Sequence, residues 1–249
     1  MRFVILGGGC YGSFYVQQLL KARNADALHF DEILVVDHNQ RPAAYKSGDA
    51  PGVRLVRREW DEFFDEHLVD SANSDDQLVP SPFNPHLALG WLMRGIARNH
   101  PGHALSLETF NRMPGTPFQQ QREHGTLVAS HADWICPVHC IEPEICPHTR
   151  GPRFWDMDRT GRALAAELEE EEQTVSQVHL FHCHHLAYGV GAYPVAELIA
   201  ARDAIEVELS RSPAVARFLV GTISRCHGAF HLLAVRLGMD TVSTPADRN

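Results

Sequence analysis

"RFVILGGG" at residues 2–9 and the segment that follows it, "CYGSFYVQQLLKAR" at residues 10–23, decide the fold of the first hundred residues. The first segment is a short apolar run that ends in three glycines, which is typical of a buried strand that enters a tight turn. The second has the pattern of an amphipathic helix. A strand, a glycine turn and a helix in this order predict the first unit of a parallel α/β sheet.

The glycines of this turn stand at the positions of the G-x-G-x-x-G pattern. The first, Gly7, suits a tight turn, Gly9 lets a pyrophosphate approach the backbone, and Gly12 lets the helix pack closely on the strand. The next apolar run, "EILVVD" at residues 32–37, ends in Asp37, where an acid can bind ribose hydroxyls. Asp37 favours NAD, while Arg41 leaves NADP open.

These residues resemble the NAD(P)-binding Rossmann superfamily, and "VILGGGCYG" with "LVVD" carries the resemblance over about the first hundred residues. They look like the nucleotide-binding domains that regulate potassium transporters, and equally like many dehydrogenases. The resemblance implies a doubly wound, mostly parallel sheet that binds NAD, with NADP as the alternative. It implies that the cofactor is held by Gly7, Gly9, Cys10, Gly12 and Asp37.

Strand and helix patterns continue to alternate through residue 110. Strands are expected at residues 53–56, 76–81 and 103–108, with helices at residues 59–68 and 86–98. We therefore expect residues 1–110 to form a Rossmann-like dinucleotide-binding domain. Pro80, Pro82 and Pro85 predict a kinked loop beside the nicotinamide site.

Residues 111–249 are rich in cysteine and histidine, and we expect them to extend the sheet or form a second lobe. Helices are expected at residues 160–174, 195–209 and 229–238, and strands at residues 125–133, 177–189 and 217–224. The strands lead to cysteine or histidine: Cys136, Cys140 and Cys146; then Cys183, His184 and His185; then Cys226 and His227. If the strands are parallel, these residues meet at one edge, where open α/β sheets bind ligands and where Cys10 also lies.

The stretch "HADWICPVHCIEPEICPHT" at residues 131–149 has the spacing Cys136-x3-Cys140-x5-Cys146, with prolines that prevent a helix. A four-iron four-sulfur cluster would use these three thiolates and either Cys183 or Cys226, or leave one iron open. Zinc would use them with His139 or His148. A stretch that binds no metal is the third interpretation. Glu142 and Glu144 are expected to face solvent or stabilise a cation.

Composition limits the classes of function. The 249 residues are 44% apolar and 21% charged, which is typical of a globular protein, and no apolar run is long enough to span a membrane. The formal net charge of −9 argues against general affinity for nucleic acid or anionic membranes. We expect a cytoplasmic protein, in which six cysteines favour metal binding, redox chemistry or burial over disulfides.

These patterns lead to three functional hypotheses. The first is an NAD(P)-dependent oxidoreductase with a cysteine-bound iron-sulfur cluster or zinc near the nicotinamide, a small-molecule substrate, and His185 or His227 as the proton donor. It would have an electron-transfer partner or form a homo-oligomer. The second is a nucleotide-binding redox or metal sensor, which needs no substrate pocket. The third is a zinc-dependent hydrolase or lyase on the same fold.

Overall fold

The chain forms a mixed α/β structure with two six-stranded sheets and five α-helices among the described residues, which are 1–39, 50–68, 73–81, 84, 86–137, 140–170 and 172–238 of this computed structural model. The strands are β1 (Arg2–Leu6), β2 (Glu32–Asp37), β3 (Val53–Arg57), β4 (Gln77–Val79), β5 (His103–Glu108), β6 (Phe118–Gln121), β7 (Thr126–Ser130), β8 (Gln177–His182), β9 (His184–Ala187), β10 (Val190–Pro194), β11 (Val215–Ile223) and β12 (His227–Leu237). The helices are α1 (Cys10–Asn24), α2 (Trp60–His67), α3 (Leu87–Asn99), α4 (Met157–Glu170) and α5 (Val195–Leu209).

The first sheet has the strand order β3-β2-β1-β4-β10-β9. Its first four strands are parallel, as the alternation of strands and helices predicts. The last two come from the second half of the chain: β10 is antiparallel to β4, and β9 is antiparallel to β10. Residues beyond 110 therefore extend the first sheet and also build a second one.

Apolar residues on alternating faces of the strands arrange the helices in layers. Phe3 and Ile5 of β1 pack with Val16 and Leu19 of α1 on one face of the first sheet. The other face belongs to a large buried cluster that contains residues of α2, α3 and α5 and of the second sheet, such as Phe218. On its far side the second sheet packs against α4. The order of layers is thus α1, first sheet, three helices, second sheet, α4.

The second sheet brings three strands into the same direction. Strand β8 is parallel to β11, and both β11 and β7 are antiparallel to β12. Strands β7, β8 and β11 are therefore parallel to one another, and their carboxyl ends lie at one edge. The predicted common edge of the three cysteine-bearing segments is confirmed for these strands.

The predicted helix at residues 229–238 is wrong, because this segment is part of strand β12. Residues 228–235 are all buried, so both faces of the strand are apolar and its sequence shows no alternation.

Strand β5 exists where predicted, but it pairs antiparallel with β12 in the second sheet. Because β9 and β10 lie in the first sheet, each sheet contains residues from both sides of the predicted boundary at residue 110.

Asp76, at the start of β4, is the centre of a partly buried ion-pair network. Arg2 donates to both carboxylate oxygens, at 3.0 Å from Nε to Oδ1 and 2.6 Å from Nη2 to Oδ2, and His67 Nε2 lies 2.9 Å from Oδ2. Burial alone would raise the pKa of Asp76, but the hydrogen bonds from Arg2 and His67 lower it below its usual value. The network joins the amino ends of β1 and β4 to α2.

Asp76→Asn is expected to reduce the free energy of unfolding by about 2 to 3 kcal/mol at pH 7, below the range for a fully buried pair because Arg2 is partly exposed. The folded-state pKa is lowered, so the contribution is complete above the ordinary pKa of an aspartate and is lost as the pH falls through the folded-state value. Urea unfolding at pH 7 and pH 3 should show the difference between wild type and variant shrinking in acid. The exposed neighbour Asp75→Asn is the control; an equal effect there contradicts the assignment.

Candidate functional site

A cavity of about 310 Å³ lies where β7, β8 and β11 end. The residues that line it include Cys136, Cys140, Cys183 and Cys226, together with Glu142, His185 and His227. Tyr15 of α1 and Pro80, the residue after β4, form part of the same wall. The carboxyl edge of the first sheet therefore meets the cysteine-rich edge of the second, as the sequence predicts.

Two more cavities adjoin this one, which we call the cysteine chamber. One, of about 270 Å³, shares Cys136, Pro137 and Cys140 with the chamber and is also lined by Cys146 and Arg153. The other, of about 1170 Å³, shares Cys183, Ser224 and His227 with it and is also lined by residues of β6 and the turn that follows. The chamber thus lies between a large open cleft and a small cavity that faces Cys146.

The loop between β7 and α4 carries three of the cysteines and is held in place by backbone bonds. Cys146 donates its N–H to the carbonyl of Gly151 and accepts at its own carbonyl from Arg150, at 2.9 and 2.8 Å. Arg153 N–H donates to the carbonyl of Glu144 at 2.8 Å. These bonds form a tight hairpin with Cys146 buried inside it.

Glu142 attaches this loop to the turn between β11 and β12. Its carboxylate accepts from Ser224 Oγ at 2.7 Å and from the backbone N–H groups of Arg225 and Cys226 at 3.0 and 3.3 Å. Burial opposes ionisation, but these donors and His185 lower the pKa of Glu142. Glu142 therefore does not face solvent; it brings Cys226 to the loop that carries Cys140.

Four of the cysteine sulfurs have N–H donors nearby. Trp155 Nε1 donates to Cys226 Sγ at 3.2 Å, and Arg153 Nη2 donates to Cys140 Sγ at 3.6 Å. Burial alone would raise the pKa of Cys146, but the backbone N–H groups of Thr149 and His148 and the Thr149 hydroxyl bring it below its usual value. A sulfur that accepts such bonds favours the thiolate, which is the metal-binding form.

Cys136 is the fourth of these sulfurs. Burial raises the pKa of its thiol, and Cys140 and Cys146 add to that effect, while Trp134 and Arg153 act in the opposite direction. The indole Nε1–H of Trp134 is buried and has no hydrogen-bond acceptor within the described part of the chain. A thiolate at Cys136 would supply one.

Cys183 has a different environment. It packs against the large apolar core, and burial raises the pKa of its thiol to about 12, with Glu142 and Glu197 contributing in the same direction. Negative neighbours oppose a thiolate. For Cys226, burial also raises the pKa, to about 11; Trp155 and Arg153 favour its ionised form, whereas Glu142 opposes it.

The two predicted catalytic histidines both line the chamber. His227 Nδ1 lies 2.9 Å from Ser130 Oγ, which donates its own proton to the carbonyl of Ala132 at 2.7 Å. Nδ1 therefore carries the proton and donates to Ser130, which leaves Nε2 as an acceptor. His185 Nε2 lies 3.7 Å from Glu142 Oε2. Burial lowers the pKa of both histidines, so both are neutral at pH 7.

The glycine turn has the geometry that its pattern predicts. Gly7 has a φ of +92°, and a Cβ at Gly12 would lie 1.8 Å from the Gly7 carbonyl oxygen, so neither position accepts a side chain without strain. A Cβ at Gly9 would have no neighbour within 4 Å, which leaves the backbone open to a ligand. Gly8 donates its N–H to Asp37 Oδ2 at 2.6 Å, so the acid lies at the turn.

Some predicted residues are not in the chamber. Cys10 is the first residue of α1 and is exposed, and it lines none of the three cavities described above. Arg41, Pro82, Pro85 and His139 lie outside the described residues. His148 stacks on Trp134 with ring centroids 4.3 Å apart. The sequence did not identify Arg153, Ser130 or the role of Glu142, because no sequence motif marks these residues and their contacts form only in the folded chain.

The predicted metal ligands do not form a single group in this conformation. Within the described ranges, no three side chains of His, Cys, Asp or Glu are grouped so that they could hold one metal ion. All six cysteines are free thiols. A shared centre therefore requires the sulfurs on the loop to move toward one another.

Fold and site together define a two-sheet α/β protein with a cysteine-lined chamber at the edge shared by the sheets. The chain belongs to the AF_1314_C family, described as "Uncharacterized protein, C-terminal domain", which matches residues 88–236. No curated protein and no solved structure matches the chain. The family match covers the chamber cysteines but begins after the glycine turn. In the described segments no helix has the length and apolar character needed to cross a bilayer.

Glu142→Ala is expected to release the turn between β11 and β12, because it removes a charged acceptor of three hydrogen bonds. We expect a loss of about 2 to 3 kcal/mol in unfolding free energy and faster hydrogen exchange at the amides of Arg225 and Cys226. Exchange measured by NMR or mass spectrometry tests this. The exposed Glu144→Ala is the control, and unchanged exchange at both amides in Glu142→Ala would show that the carboxylate does not hold the turn.

Proposed function

We propose that this protein is an NAD(P)-dependent oxidoreductase with a thiolate-bound metal centre beside the nicotinamide site. The observation that carries the proposal is the chamber, where Tyr15 and Pro80 from the first sheet share one wall with four cysteines and two histidines. A dinucleotide on the glycine turn and a metal centre on the cysteines would thus serve the same space. We include in this proposal the cytoplasmic location expected from the sequence, because that compartment keeps thiols reduced.

The residues fit a thiolate-bound centre by their chemistry. Cys136, Cys140, Cys146 and Cys226 are the sulfurs with N–H donors nearby, whereas no N–H donor among the described residues favours a thiolate at Cys183. We therefore assign the first four as ligands and Cys183 as a wall of the chamber. Four thiolates suit an iron-sulfur cluster or zinc. When bound, an iron-sulfur cluster would pass electrons, whereas zinc held by four thiolates would be a closed, structural centre.

The parallel order β3-β2-β1-β4 and the open backbone at Gly9 support the dinucleotide half of the proposal. The first turn of α1 has no side-chain cap, so its N–H groups are available to phosphate. Asp37 uses one oxygen for Gly8 and the other for Asn39, yet each carboxylate oxygen has a further lone pair for a ribose hydroxyl.

The neighbouring cleft of about 1170 Å³ favours an enzyme over a sensor, because a sensor needs no substrate pocket. His227 lies where the cleft and the chamber meet, and its Nε2 is placed to exchange a proton with a small molecule bound there. His185 lies on the chamber wall, 3.7 Å from Glu142, and is the alternative proton-exchange residue. An electron-transfer partner or a second copy of the chain would complete the redox cycle.

The metal assignment is tested by anaerobic purification, visible absorption, and assays for iron, sulfide and zinc. We expect Cys136→Ala, Cys140→Ala, Cys146→Ala and Cys226→Ala each to lose most of the bound metal, since each removes one of four ligands. Cys183→Ala and the exposed Cys10→Ala should retain it. If Cys183→Ala lost the bound metal and Cys146→Ala retained it, the centre would lie deeper in the chamber. If the wild-type protein contained no metal, the centre would be removed from the proposal.

The dinucleotide assignment is tested by Gly9→Ala. Its new methyl group meets no protein atom, so folding should be preserved, but it occupies the space that a pyrophosphate needs. We expect NAD(H) affinity, measured by calorimetry, to fall about tenfold or more, which corresponds to at least about 1.4 kcal/mol. Gly102→Ala, which also adds a methyl in open space, is the control. Equal affinity in wild type and Gly9→Ala would show that the turn binds no dinucleotide.

A further inference from the structure

Arg153 is a buried charge that the reaction described above does not use. Its residue is 6% exposed, and its guanidinium lies beside the cavity lined by Cys136, Cys140 and Cys146. Nη1 donates to the carbonyl of Pro143, Nη2 donates to Cys140 Sγ, and Nε has no hydrogen-bond partner within the described ranges. A buried arginine with a spare N–H is rare unless it is paired.

The hydrogen-bond partners of this guanidinium are the Pro143 carbonyl and the Cys140 sulfur. No carboxylate forms an ion pair with Arg153 in the part of the chain that the structure describes. Cys136, Cys140 and Cys146 line the same cavity as the guanidinium. If these cysteines are neutral thiols, the cation is buried with no anion to compensate it, which is costly.

We propose that Arg153 is the internal counter-ion of the thiolate centre. This inference rests on the proposed function. Four thiolates carry two more charges than a divalent ion supplies, and they release their protons to solvent when the metal binds. A fixed guanidinium in the cavity lined by Cys136, Cys140 and Cys146 offsets part of that excess and donates an N–H to Cys140 Sγ. Arg153 is thus a positioning residue that acts through the ligands and does not bind the metal itself.

The competing explanation is that Arg153 only fastens the loop. Its backbone N–H bonds to Glu144, and its carbonyl accepts from Arg225 Nη2 at 3.2 Å. These backbone bonds remain when the side chain is replaced. A role in charge compensation and a role in loop packing therefore predict different behaviour for a variant that keeps the length of the side chain and removes its charge.

The test compares Arg153→Met and Arg153→Lys with wild type, prepared with and without zinc. Zinc affinity is measured by chelator competition, and thermal stability by the unfolding midpoint of each form. We expect Arg153→Met to bind zinc about tenfold to a hundredfold more weakly, while its metal-free form is at least as stable as wild type because an uncompensated buried charge is gone. Arg153→Lys, which keeps the charge, should retain most of the affinity. Arg150→Met, at an exposed position of the same hairpin, is the control.

The outcomes separate this inference from the proposed function. If Arg153→Met lowers the unfolding midpoint of both forms equally and leaves zinc affinity unchanged, the residue only fastens the loop and the inference is overturned. If wild type binds neither zinc nor iron, the metal centre itself fails, and the counter-ion fails with it. The inference is supported if Arg153→Met binds zinc more weakly than wild type while the unfolding midpoint of its metal-free form is not lowered.

Discussion

The pairing of strand β12 is the constraint on which the site depends. Residues 227–231 of this strand pair with β7, residues 232–237 pair with β5, and the whole strand lies beside β11 in antiparallel register. Because β12 is antiparallel to both β7 and β11, these two must run in the same direction. Their carboxyl ends, and that of β8, therefore deliver cysteine-bearing segments to one edge. The burial of residues 228–235 fixes this strand, so the chamber follows from the packing of a strand that itself contains no cysteine.

Much of the first sheet could be predicted from the sequence, because its elements have strong local signals. The run before Gly7 and the helix after Gly9 have clear ends, and the helix at Val195–Leu209 lies at the predicted residues. Strand β12 could not be predicted, since a strand that is apolar on both faces has no period of two. The sheet membership of β5 could not be predicted either, because its partner is more than a hundred residues away.

The candidate site was predictable in its cysteines but not in what surrounds them. The strand-end pattern predicted that Cys136, Cys140, Cys146, Cys183 and Cys226 would share an edge with Cys10. Four of them line one cavity, whereas Cys146 lines the adjoining cavity and Cys10 lines neither. The pattern did not distinguish Cys183 from the others, because that difference arises from the apolar core around Cys183 and from the N–H donors that the fold brings to the other sulfurs. Glu142 was expected in solvent or beside a cation. Its burial follows from three hydrogen-bond donors in the turn between β11 and β12, and the sequence around Glu142 does not indicate these partners.

The position of Tyr15 links the two halves of the proposed site. Tyr15 lines the chamber, and it is five residues beyond Cys10, where α1 begins next to the glycine turn. At the rise of an α-helix, this separation is about 7.5 Å along the axis. A dinucleotide whose pyrophosphate lay on the turn would therefore be bound at the start of the same helix that forms part of the chamber wall. Pro80 supports the same placement, because it follows β4, the strand beside β1. The proposal that cofactor and metal share one space thus depends on residues 10–15 of α1. This segment begins at the glycine turn and reaches the chamber wall at Tyr15.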